Sequence, residues 1–185
     1  MIPADHHTAL DERIFHAVNA DGGWVLDALA RALSSRWLGI ATGLTLAALL
    51  WARRRDGPWR WVAILALAIL LSDGVGSQVI RPLVGRMRPA YALPSGSVRW
   101  IVPASNVGSI PSLHAANFFA MALVGTAASP ALGPALYALA GAVAWSRVYG
   151  GVHWPTDVLA GALWGTLAAA VALAIMRRIP RRGGT

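Results

Sequence analysis

The sequence contains no cysteine and no lysine. Without cysteine there is no disulfide, no thiolate nucleophile and no thiolate-ligated metal. Charge is scarce too: 13% of the 185 residues are charged, about half the share a soluble domain uses to clothe its surface. That scarcity excludes an ordinary soluble globule, and a hydrophobic content of 56% excludes a disordered chain. What is abundant points to lipid. Mean hydropathy is +0.54, and nine Trp, 19 Gly and 11 Pro suit a helical membrane protein with interfacial aromatics and helix interruptions. The net charge of +8 comes from 16 arginines against eight acids. These arginines cluster at the ends of apolar runs, a placement that argues against nucleic-acid binding.

A helix that crosses the hydrocarbon core needs about 20 mostly apolar residues. Trp37 to Ala52 is free of charge, Trp61 to Ile80 carries only Asp73, and Val158 to Met176 is closed by Arg177 and Arg178. The uncharged stretch from Trp100 to Ser146 is too long for one span. It divides at the prolines and glycine of 128–134, leaving helices from about Ser112 to Ala127 and Ala135 to Trp145. The expected fold is therefore all-α, a polytopic transmembrane bundle of five spans, with a sixth, tilted span as the alternative. Residues 1–185 read as a single membrane domain: an N-terminal segment 1–36, a transmembrane core 37–176 and a basic cytoplasmic tail 177–185. Within 1–36, apolar residues recur at helical spacing on either side of residues 19–23, as in two short interfacial helices. The start lacks a basic stretch followed by an apolar run, so no signal peptide is expected.

Arginine in short loops sets orientation. Arg53, Arg54, Arg55 and Arg60 share one face with Arg177, Arg178, Arg181 and Arg182, which makes that face cytoplasmic. The opposite face nevertheless holds Arg81, Arg86, Arg88, Arg99 and Arg147. Arginines there run against the topological bias, so they are expected to bind an anion. Solvated loop charge or headgroup contact is a fair description of Arg99, and an alternative for Arg86.

Three polar clusters lie at the outer ends of the apolar helices. In the third, Ser146-Arg147 to Asp157, His153 and Asp157 are four apart and share a face if a helix starts near Pro155. A carboxylate on one ring nitrogen fixes the tautomer and leaves the other lone pair outward, the geometry of a nucleophilic or general-base histidine. In the second, Pro111-Ser112-Leu113-His114 opens an apolar helix, whose N-terminal N–H groups form a phosphate seat. Ser112 fits equally as a simple helix cap, and His114 can protonate a leaving oxygen. The first, Arg81 to Pro89, supplies guanidinium forks. Arg81, Arg88 and Arg147 together can offset a phosphate dianion. Asp73 is balanced between a role beside Arg81 and close helix packing with Gly74 and Gly76, and is left outside the site.

These clusters resemble the type 2 phosphatidic acid phosphatase superfamily, which shares its active site with vanadium haloperoxidases. The family pattern is Lys-x6-Arg-Pro, then Pro-Ser-Gly-His, then Ser-Arg-x5-His-x3-Asp. Here it reads Arg81-x6-Arg88-Pro89, then Pro111-Ser112-Leu113-His114, then Ser146-Arg147-x5-His153-x3-Asp157. Arg81 stands where lysine is usual, and Leu113 where glycine is usual. The resemblance implies that His153 attacks phosphorus and forms a phosphohistidine, oriented by Asp157, and that His114 is the acid toward the leaving group. It also implies that Arg81, Arg88, Ser112, Arg147 and the Leu113 amide hold phosphoryl oxygens, with no metal and no cofactor. The implied partner is a lipid phosphate at a bacterial plasma membrane, with the site facing the exterior. Undecaprenyl diphosphate is the first-choice substrate. Phosphatidylglycerophosphate, phosphatidate and lipid A phosphate are alternatives, and a lipid phosphotransferase or a non-catalytic lipid-binding protein are readings of another class. Nothing in the sequence indicates an oligomeric state.

Overall fold

The computed structural model describes residues 7–53, 57–105 and 108–179. Every regular element among them is helical. Helix α1 (Ala9–Val18) is capped by Thr8, whose hydroxyl accepts from the Asp11 amide, and carries Asp11 and Glu12 in its first turn. These acids suit the positive end of the helix dipole. Helix α2 (Gly23–Leu33) follows the break at 19–22 and meets α3 (Arg36–Arg53) at a 55° bend. Together α2 and α3 are long and apolar enough to count as one broken span. The short first run expected from the sequence is thus preceded by α2, whose apolar residues extend it across the bend.

Helix α4 (Pro58–Ile69) runs on through a π-helical segment, Leu70–Ile80, into α5 (Arg81–Val84). The rod Pro58–Val84 is 27 residues long. The expected boundary at Ile80 is passed because the wider π turn, common near functional sites, carries the chain onward without a break. A single turn, α6 (Pro89–Ala92), precedes the long connection to α7 (Leu113–Ala128), α8 (Gly133–Tyr149) and α9 (Pro155–Arg178). Of the five expected spans, Pro58–Val84 and Pro155–Arg178 meet the length and hydropathy of a membrane crossing on their own. Helix α7 is apolar but short at 16 residues. It is also the central helix, packed against α3, α4, α8 and α9, so it need not match the thickness of the lipid around it.

The α7–α9 pair sets the architecture. A Cβ on Gly161 would lie 2.4 Å from the Ser112 carbonyl oxygen, and one on Gly165 would lie 1.9 Å from that of Ala116. Only glycine admits such an approach, the small-residue packing that joins helices in membranes. The Ser112 amide donates to the Asp157 carbonyl at 3.0 Å, so the N-termini of α7 and α9 lie side by side. On the opposite face, Arg60 donates to the carbonyls of Met176 and Ile179, which brings the start of α4 to the end of α9, as the arginine distribution predicts. Arg54, Arg55, Arg181 and Arg182 lie outside the described residues.

Candidate active site

The loop between α8 and α9 carries the central histidine. Gly151 takes φ +80°, and a Cβ there would sit 2.5 Å from the Arg99 carbonyl oxygen, so the loop needs glycine both for its backbone and for space. Helix α8 runs further than expected, to Tyr149 rather than Trp145, and carries Arg147 in its last turn, where a cation complements the dipole. As expected, α9 starts at Pro155. Asp157 is its third residue, and its Oδ2 accepts from the Trp154 amide at 2.8 Å.

His153 is 1% exposed and Asp157 is fully buried. His153 Nδ1 faces Asp157 Oδ2 at 3.4 Å, and Arg88 Nη1 lies 2.9 Å from His153 Nε2. Since a guanidinium only donates, Nε2 is the accepting nitrogen and Nδ1 carries the proton. Burial, and after it Arg88, Arg147 and Arg81, hold the imidazole well below its ordinary range. The ring is therefore neutral, with a lone pair on Nε2. Burial and then Arg81 draw the Arg88 guanidinium down to about 10, still protonated at neutral pH.

Arg81, Arg88, Leu113, His114, Arg147 and His153 all line one cavity of about 680 Å³. His114 makes a backbone hydrogen bond to Ser34, and Arg147 Nη1 donates weakly to the Ser34 carbonyl at 3.4 Å. Arg81 Nε donates to the Pro111 carbonyl at 3.1 Å, linking the first motif to the second. Ser112 is the N-cap residue of α7 but makes no side-chain cap bond. Its Oγ is instead buried without a hydrogen-bond partner, as are Nε of Arg88 and Nε of Arg147. Unpaired buried donors call for a missing acceptor, and a phosphoryl group supplies several acceptor oxygens at once. Leu113, at the position where the family has glycine, seats its Cδ2 where a Cβ on Gly76 would lie only 2.6 Å away. The π-helical segment thus holds a notch that receives the leucine. Trp164 Nε1 secures this segment by donating to the Ser72 carbonyl at 2.9 Å. Asp73, left outside the site, lines the same cavity and accepts from Asn117 at 3.1 Å.

The cavity has a second character away from the arginines. It extends between α3 and α4 along Gly39, Gly43 and Ala47 on one side and Val62, Leu65 and Ile69 on the other. A polar head on an apolar slot suits an amphiphile.

Two readings need correction. Arg86 is not a solvated loop charge: it is 4% exposed, with Nη1 donating to Asp157 Oδ1 and Nη2 to Asp11 Oδ2, both at 2.6 Å. Arg99 is not simply solvated either, because Nη2 binds both Asp27 oxygens at 3.0 and 3.1 Å. Arg86 pairs because carboxylates lie within reach in a poorly hydrated setting, whereas Arg99 is part-exposed and its pair lies at the surface. Nor does α1 merely lie on a lipid surface. Asp11 and Phe15 are buried, and Phe15 packs on Trp154 of the loop between α8 and α9. Ser109, whose hydroxyl donates to Asp157 Oδ2, belongs to no motif and gave no signal in the sequence.

Comparison with known proteins bears on the family and the fold. The chain is 34% identical over 110 residues to a lipid A 4'-phosphatase of Bacteroides thetaiotaomicron, covering 57% of this chain and 49% of that one. It is 30% identical over 119 residues to the bacitracin transport permease protein BcrC of Bacillus licheniformis, covering 64% and 57%. The chain thus spans about half the length of the curated relatives it matches. Among solved structures, Aquifex aeolicus LpxE superposes with a TM-score of 0.77 at 27% identity, over 90% of this chain and 96% of that one. A PAP2-type phosphatidylglycerolphosphate phosphatase from Bacillus subtilis shares the fold, with a TM-score of 0.64 at 21% identity over 96% and 91%. The model of the PAP2 superfamily matches residues 61–181, which include all three polar clusters, and the chain belongs to that superfamily.

Proposed function

We propose that this chain is an integral-membrane lipid phosphatase, and that residues 1–185 form one phosphatase domain. The observation that carries this reading is the shared cavity, in which the guanidinium groups of Arg81, Arg88 and Arg147 and the imidazoles of His114 and His153 adjoin an apolar slot between α3 and α4. The neutral Nε2 of His153 attacks phosphorus, forming a P–N bond as the P–O bond to the leaving group breaks. His114 gives its proton to the leaving oxygen. Arg81, Arg88, Arg147, the Ser112 hydroxyl and the Leu113 amide hold the phosphoryl oxygens, while Asp157 balances the charge gained by the His153 ring. Arg88 links binding to attack, since a phosphoryl oxygen competes with Nε2 for its guanidinium. Water then attacks the phosphohistidine, gives a proton to His114 and releases inorganic phosphate.

The donor set supports chemistry without a metal. Among the described residues no group of three or more histidine or acidic side chains is gathered to hold a cation, and Asp157 is engaged by Arg86. The substrate is a phosphate or diphosphate ester of a lipid. Undecaprenyl diphosphate stays in this class beside lipid A phosphate and phosphatidylglycerophosphate, the classes named for the relatives. The arginine distribution supports a site on the outer face of a bacterial inner membrane.

The test is phosphate release from a panel of purified lipid phosphates in detergent with chelator present. Turnover should persist without divalent cations and vanish in His153→Ala. Full activity in that variant would reject the phosphohistidine route, and activity that returns only with magnesium would reject the metal-free one.

A further inference from the structure

Behind Asp157 the mechanism above leaves two buried charges, Arg86 and Asp11, unused. Asp157 accepts at both oxygens. Oδ2 takes the Ser109 hydroxyl, the Trp154 amide and His153 Nδ1, whereas Oδ1 takes Arg86. Arg86 in turn is gripped from the far side by Asp11 of α1. Asp11 also accepts from the Thr156 amide at 3.0 Å and the Thr156 hydroxyl at 2.7 Å, which ties it to the first turn of α9. Exposures of 2% for Asp11, 4% for Arg86 and 0% for Asp157 remove all three from bulk water.

Buried charges persist only when paired, and the order of signs matters here. Arg86 alone against Asp157 would neutralise the carboxylate that must stabilise the positive ring formed at His153. A second carboxylate behind Arg86 leaves the three groups with one net negative charge. We propose that Asp11 and Arg86 are positioning residues for the reaction: Arg86 fixes the Asp157 carboxylate, and Asp11 offsets Arg86 so that Asp157 still acts on His153 as an anion. On this view α1 is part of the active site's support. Its further contacts agree, since His7 stacks on Trp154 at 4.3 Å and the Asn19 amide donates to the carbonyls of Arg99 and Tyr149.

This inference rests on the phosphohistidine reading, and its test separates the two. Asp11→Asn keeps the shape of the side chain and removes its charge. The expected loss is roughly ten-fold in kcat with KM unchanged, the size of one charge removed from a low-dielectric site. The double variant Asp11→Asn with Arg86→Gln restores one net negative charge on Asp157 and should recover most of that kcat. A purely structural role predicts the reverse, with the double variant worse than the single. The ¹⁵N shift of His153 Nδ1 reads the charge at the ring whether or not lipid phosphate is turned over. It should change in Asp11→Asn and return toward wild type in the double variant. Unchanged kcat and ring shift in Asp11→Asn, or a double variant poorer than either single one, would overturn the proposal.

Discussion

Replacing Gly165 with alanine puts a methyl group where no room exists, and the consequence reaches the catalytic end of the bundle. The added Cβ would start 1.9 Å from the Ala116 carbonyl oxygen. Because a relaxed carbon–oxygen contact is about 3.3 Å, α7 and α9 must separate locally by about 1.4 Å. At Gly161, where the same distance to the Ser112 oxygen is 2.4 Å, the separation is about 0.9 Å. Helix α7 carries Ser112 and His114 at its start, and α9 begins two residues after His153. The displacement therefore falls between His114 and His153, the proposed leaving-group acid and nucleophile. A misplacement near 1 Å lowers rates by about 100-fold, whereas overpacking destabilises by about 1–3 kcal/mol. Gly165→Ala should thus fold, melt at a lower temperature in detergent and lose about 100-fold in kcat, with Gly161→Ala less affected. Phosphate-release kinetics together with thermal unfolding measure both quantities. Wild-type kcat and an unchanged melting temperature in Gly165→Ala would refute the claim that this close crossing positions the site.

The other expectations concern selectivity and protonation. Leu113→Gly empties the space beside the phosphate seat and should shift the ratio of kcat/KM toward bulkier headgroups by roughly ten-fold. Gly76→Ala pushes Leu113 toward the cavity and should lower kcat/KM for every substrate; a panel of lipid phosphates in both variants tests the pair. Gly43→Leu fills the apolar slot between α3 and α4. It should raise KM for a long-chain lipid phosphate by about ten-fold and leave a tail-less phosphate monoester unchanged; equal effects on both would remove the slot from the substrate path. His153 has its imidazole held well below the ordinary 6.5. Its ¹⁵N spectrum should therefore remain that of a neutral Nδ1–H tautomer as the pH falls through 6.5, and a midpoint near 6.5 would contradict the charge environment described.

Much of this was legible along the chain because it depends on local pattern. The absence of charge from long runs marked the helices, and the i, i+4 spacing across Pro155 placed His153, just before α9, beside Asp157 in its first turn. Helix ends were less legible. The last turn of α8 holds Arg147 because a cation suits a helix C-terminus, although by charge alone the residue reads as loop. The π-helical course of Leu70–Ile80 has no clear sequence mark, since it arises where Gly76 yields to Leu113 and Trp164 holds the Ser72 carbonyl.

What the sequence determined by itself, then, was the bundle of apolar helices and the three clusters able to hold a phosphoryl group. Periodicity, charge exclusion and short-range spacing are properties of neighbouring residues. Which arginines face the cavity and which are neutralised was decided only by tertiary structure. Arg86 and Arg88 are two residues apart, yet one meets His153 and the other meets carboxylates 75 residues before and 71 residues after it. Electrostatic pairing depends on distance in space, and in a buried setting the partner within reach determines whether a charge binds an incoming anion or an internal one.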